Sequence, residues 1–173
     1  MDKTVGIIGL GIMGGAIARN LVERGWRVIG FDTDATKRAE LALANIEIAG
    51  NVEQVARDVP IIMTSLPSPA SAAKVAQSIA DSGQSPRIVV ELSTLSIVDK
   101  LRFETILNKA GHVALDCPLS GTGAPRFDGP FLNCTVPVGG PGATSGDTVA
   151  VKVTDAPGFD GVPDVTTAVE EDS

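Results

Sequence analysis

"VGIIGLGIMGGAIARNL", Val5 to Leu21, changes its periodicity halfway along. An apolar run stops at Gly9, glycines recur at Gly11, Gly14 and Gly15, and a helical pattern follows with Ile17, Ala18 and Leu21 on one face. Gly9-Leu10-Gly11-Ile12-Met13-Gly14 fits G-x-G-x-x-G, a match that chance alone supplies in glycine-rich chains. The setting makes it more specific. A buried-type strand precedes it, an amphipathic helix follows, and a second strand, Arg27–Asp32, ends in an acid.

Each position has a physical reading. Gly9 permits a tight turn, Gly11 lets the backbone approach a pyrophosphate, and Gly14 lets the helix pack against the sheet. Phosphates would meet free N–H groups at the helix start, where the helix dipole favours negative charge. Asp32 follows Gly14 by 18 residues. A carboxylate there accepts hydrogen bonds from adenosine ribose hydroxyls and repels a 2′-phosphate, so NAD is expected over NADP. Lys37 and Arg38, one helical turn on, soften that choice and keep NADP as the alternative.

Outward from this loop, strands and helices alternate. Helices are expected from Ala35 with Asp34 as cap, from Asn51 with Gln54 as a capping box, over Ala70–Ser82, and over Ile97–Ala110. Strands are expected at Ile46–Ala49, Pro60–Leu66, Ile88–Leu92 and Val113–Asp116. This order implies an α/β fold, a Rossmann-like doubly wound parallel sheet covered on both faces. After Cys117 the character changes: from Pro118 onward lie seven of the 11 prolines and nine of the 19 glycines. "NCTVPVGG" and "DTVAVKV" read as two strands, and Ala156–Ser173 as a loop or frayed end. The division expected is a dinucleotide-binding domain over 1–124 and a short β-rich or irregular C-terminal segment over 125–173.

The totals exclude several classes. The chain has 173 residues, 43% hydrophobic and 20% charged, which suits a globular domain with a real core. The net charge of −7 comes without a basic patch, which argues against nucleic acid. Asp155, Asp160, Asp164, Glu170, Glu171 and Asp172 face Lys152 alone after residue 149, so the end is acidic and the body nearly neutral. No stretch has membrane length or the form of a signal peptide, so a cytoplasmic location is expected. Cys117 and Cys134 lack metal-type spacing; no metal is expected, and Cys117 reads as a small buried hydrophobe. His112 opens a strand, where partial exposure is expected.

Four stretches together, "GIIGLGIMGGAIARNL", "TSLPSPA", "VVELSTLS" and "DCPLSGTGA", resemble the β-hydroxyacid dehydrogenase family. Its members include 3-hydroxyisobutyrate dehydrogenase and tartronate semialdehyde reductase. The likeness covers about Lys3 to Ala124, the N-terminal NAD-binding domain only. It implies an oxidoreductase moving hydride between NAD or NADP and a 3-hydroxy acid or its semialdehyde. By the same resemblance, Ile12 and Met13 lie beside the pyrophosphate, Leu66 and Pro67 line the nicotinamide-side ribose, and Thr94 contacts the nicotinamide region. Ser120, Gly121 and Thr122 would hold the substrate carboxylate, with Thr122 standing where the family has a second glycine. Ser93 and Thr94 also precede Ile97, where hydroxyls can cap a helix.

The family's catalytic lysine lies some 50 residues past the serine-glycine motif, on a helix. Here that distance falls near Ala168, and Lys152 sits in a strand-type alternation. No catalytic residue is therefore assigned, and the lack of that lysine argues against turnover by this chain alone. The alternative is a non-catalytic dinucleotide-binding module, a truncated or fused product lacking the helical domain that usually forms the family's homodimer.

Overall fold

A computed structural model of the chain describes residues 3–84 and 86–119 in full, and residues 132–137 and 148–153 by backbone alone. Among the described residues, six strands alternate with five helices. The order is β1 (Thr4–Ile8), α1 (Ile12–Glu23), β2 (Arg27–Phe31), α2 (Ala35–Ala42), β3 (Glu47–Ile48) and α3 (Val52–Asp58). Then come β4 (Ile61–Thr64), α4 (Pro69–Asp81), β5 (Ile88–Glu91), α5 (Ile97–Lys109) and β6 (Val113–Asp116). These strands pair in parallel in the order β3-β2-β1-β4-β5-β6, the doubly wound arrangement expected from the sequence. The chain reverses direction of travel between β1 and β4, and a crevice opens there beyond the carboxyl ends of the strands.

Two further strands, β7 (Leu132–Pro137) and β8 (Thr148–Val153), form an antiparallel hairpin, the two strands expected after Pro118. β7 pairs with β6 through Asp116 and Thr135, so the hairpin extends the sheet to eight strands.

The strand sequences are apolar on both faces because both faces are covered. Val5, Ile7, Val28 and Leu41 pack with Ala18 of α1 on one side. Ile8, Ile29, Ile62 and Val89 pack on the other with Val55 of α3, Ala76 and Ile79 of α4, and Phe103 and Leu107 of α5. Among the described residues, four of the five helices begin on a side-chain cap: Asp34 accepts from Thr36 N, Asn51 from Gln54 N, Ser68 from Ser71 N and Ser96 from Asp99 N. Each such cap contributes about 1 kcal/mol. Gln54 reaches back to Gly50 N at 2.8 Å, one residue outside the capping box read from the sequence.

Three expectations are corrected. His112 is only 4% exposed, because its ring lies under the chain between α4 and β5 and accepts a hydrogen bond from Arg87 N through Nδ1. It sits at the amino ends of the strands, away from the crevice, so it offers no base there. Ser96, not Ser93 or Thr94, caps α5. Cys117 is fully buried beside Val90 and Leu92, but it is disulfide-bonded rather than a free thiol. The chain's other cysteine, Cys134, lies on β7, the strand hydrogen-bonded to β6.

Candidate dinucleotide site

The crevice at the β1–β4 switch holds a cavity of about 870 Å³. That is within the usual range for small-molecule and cofactor sites. Its floor is the turn from β1 into α1. Gly9 has φ of +92°, and a side chain on it would place Cβ 2.1 Å from the Ser65 carbonyl oxygen. Gly14 faces Gly9 so closely that a Cβ would lie 1.9 Å from the Gly9 oxygen. The two glycines let the first turn of α1 sit directly on β1 and β4. Gly11 differs, since the nearest atom to a Cβ there is Lys37 Nζ at 3.9 Å, and its open side is the cavity.

The start of α1 is unlike the others. Its N-cap is Gly11, and no side chain caps it. The first N–H groups of a helix have no intrahelical acceptor. Here Gly11, Ile12 and Met13 line the cavity, and Ile12 is 78% exposed. This helix start, with no side chain capping it, fits an anionic group, because N–H donors and the positive end of the helix dipole point the same way.

Asp32, just past β2, forms the rim beside it. Its Oδ2 accepts from Leu10 N at 2.7 Å and its Oδ1 from Asp34 N at 2.9 Å. A carboxylate has about four acceptor positions, so two remain for a ligand. Lys37 Nζ stands 4.0 Å from Oδ2, with its side chain 43% exposed. Arg38 is turned inward and donates to the carbonyls of Asp32 and Thr33. The Asp34 carboxyl is held below the usual range, chiefly by the hydrogen bond from Thr36 N.

The far wall comes from the turns after β4 and β5. Leu66, Pro67, Ser93 and Thr94 line the same cavity. Ser93 Oγ accepts from Leu66 N at 2.8 Å and so ties the two turns together.

Of the residues singled out from the sequence, Gly9, Gly11, Ile12, Met13, Asp32, Leu66, Pro67 and Thr94 come together around one cavity. Leu10 and Gly14 stand behind it, the first by bracing Asp32 and the second by close packing. Ser120, Gly121 and Thr122 lie outside the described residues. Sequence reasoning missed Lys74, Ser71 and Ser78 of α4 and Asn51 and Glu53 at the start of α3, which also line the cavity. A polar face on α4 at Ser71, Lys74 and Ser78 was the available signal.

A doubly wound sheet, an uncapped glycine cradle and an acid at the end of β2 define a dinucleotide-binding α/β domain. Residues 4–148 match the family described as the NAD binding domain of 6-phosphogluconate dehydrogenase, and the chain belongs to that family. It is 33% identical over 123 residues to a probable mitochondrial 3-hydroxyisobutyrate dehydrogenase of Dictyostelium discoideum, covering 69% of this chain and 38% of that one. It is 32% identical over 140 residues to the mouse mitochondrial 3-hydroxyisobutyrate dehydrogenase, covering 79% and 41%. The fold is shared with a Mycobacterium tuberculosis 3-hydroxyisobutyrate dehydrogenase solved with L-serine, at a TM-score of 0.68, 24% identity, and coverage of 71% and 42%. The chain thus spans about two fifths of the length of these relatives. Among the described residues, no helix is long and apolar enough to cross a membrane.

Proposed function

We propose that this chain is the cofactor-binding part of an NAD-dependent oxidoreductase acting on a 3-hydroxy acid or the matching semialdehyde. The observation that carries the reading is the uncapped start of α1, which opens into the cavity beside Asp32. The bound dinucleotide supplies the hydride chemistry at its nicotinamide ring. The chain's own groups bind and orient. The N–H groups at Gly11, Ile12 and Met13 take the pyrophosphate, and Asp32 takes the adenosine ribose diol. Leu66, Pro67 and Thr94 line the nicotinamide side across the switch point. Ser120, Gly121 and Thr122 take the substrate carboxylate.

NAD is preferred because a 2′-phosphate would lie against the Asp32 carboxylate; Lys37, 4.0 Å away, offsets part of that repulsion. We place the end of the cofactor domain near Ala124, a homodimer as the working state and the cytoplasm as the location. The relatives named as dehydrogenases support the substrate class.

Titration of the purified chain with NADH and NADPH, followed by a turnover assay on a panel of 3-hydroxy acids, tests this. NADH should bind at least tenfold more tightly than NADPH. Failure to bind NADH overturns the reading, and NADH binding without turnover leaves a dinucleotide-binding module.

A further inference from the structure

Lys100 of α5 is not in the cavity wall, yet it is tied to it. Its side chain is 12% exposed and its ammonium meets three acceptors. These are Glu91 Oε2 at 2.5 Å, the Ser93 carbonyl oxygen at 2.6 Å, and Asp116 Oδ1. An ammonium has three protons, so the set is complete. The acceptors come from the end of β5, the turn after it, and the end of β6. Glu91 is 2% exposed in its side chain, and its other oxygen accepts from Ser93 N at 2.9 Å. Ser93 Oγ in turn holds Leu66 N.

We propose that Lys100 is a positioning residue for the nicotinamide side of the dinucleotide. Its ammonium grips Glu91, Asp116 and the Ser93 carbonyl together, and so fixes the turn that carries Ser93 and Thr94 and, through Ser93, the turn at Leu66. This rests on the dinucleotide reading above and deepens it. The argument is one of placement. A carboxylate as buried as Glu91 is costly unless paired, and Lys100 pairs it. The pair also holds both backbone groups of Ser93, a cavity-lining residue, and the third ammonium proton goes to Asp116. Lys100 approaches from the β5–β6 side of the switch point, whereas Asp32 and the start of α1 are on the other side. Loosening it should therefore disturb the half of the site that faces nicotinamide and leave the phosphate cradle unaltered.

The test compares two ligands on the full chain: NADH, which spans both halves, and ADP, which occupies only the cradle half. Lys100→Met should weaken NADH about five- to tenfold, the loss of one or two hydrogen bonds, and ADP less than twofold. Because that variant leaves Glu91 buried and unpaired, the double variant Lys100→Met/Glu91→Gln carries the same comparison if the single one does not fold. Equal weakening of both ligands, or unchanged NADH affinity, overturns the assignment. If the unaltered chain binds neither ligand, it is the dinucleotide reading that fails.

Discussion

Asp32→Ala separates two jobs done by one carboxylate. The first is structural. Leu10 is 3% exposed, and its N–H has Asp32 Oδ2 as partner at 2.7 Å. Removing that oxygen leaves a buried donor unsatisfied, at a cost of about 1–3 kcal/mol. The second bond, from Asp34 N, lies at an exposed residue, and water replaces it at little cost. The expected destabilisation is therefore about 1–3 kcal/mol, or a fall of roughly 3–10 °C in Tm for a domain of this size. The second job is the proposed recognition of the adenosine ribose. A ribose diol bound to a carboxylate is worth about 1.5–3 kcal/mol, so NADH should bind about ten- to a hundredfold more weakly. NADPH should lose much less, because repulsion of its 2′-phosphate disappears with the charge. Calorimetric titration with both nucleotides, beside thermal unfolding, reads the two effects separately. If NADH and NADPH weaken by the same factor while Tm falls, the carboxylate is only a brace for the glycine turn, and the cofactor preference argued from it is wrong. Unchanged NADH affinity would refute the placement of the adenosine half altogether.

The glycines of the cradle should divide by what surrounds them. Gly11→Val enters open space, so it should keep Tm within a few degrees while abolishing measurable NADH binding; tight binding by a folded Gly11→Val protein would remove the phosphate site. Gly14→Ala drives a Cβ against the Gly9 carbonyl and should destabilise the fold by about 2–4 kcal/mol in urea unfolding. Thr64 is fully buried, and its hydroxyl has no hydrogen-bond partner among the described residues, so Thr64→Val should raise stability by about 1 kcal/mol; a loss would reveal a partner for that hydroxyl. Burial pushes the His112 imidazole below its ordinary pKa, against a weaker opposing hydrogen bond to the Ile79 backbone. The unfolded chain then binds the proton more readily, so this contribution is complete above about pH 6.5 and is lost as pH falls below it. Urea midpoints at pH 7.5 and 5.5 should show that fall, and His112→Gln should flatten it.

Much of the fold was legible because it is written locally. Asp34 caps through an amide two residues on, and Asn51 through one three residues on, so the spacing alone places both helix starts. The switch from an apolar run to helical period at Gly9 places β1 against α1, and with it the cradle. What escaped is what the sheet assembles from distant positions. Lys100 reaches Asp116 across 16 residues and two elements, and neither periodicity nor capping relates them. His112 reads as a strand opening, yet the turn from α5 tucks it under Arg87, 25 residues earlier. The cofactor cradle is a local device and announces itself in six residues, whereas the braces that aim it arise only when parallel strands bring their carboxyl ends together. Variants chosen from motifs alone will therefore test binding, and only those chosen from the β5–β6 side can test how the bound dinucleotide is aimed.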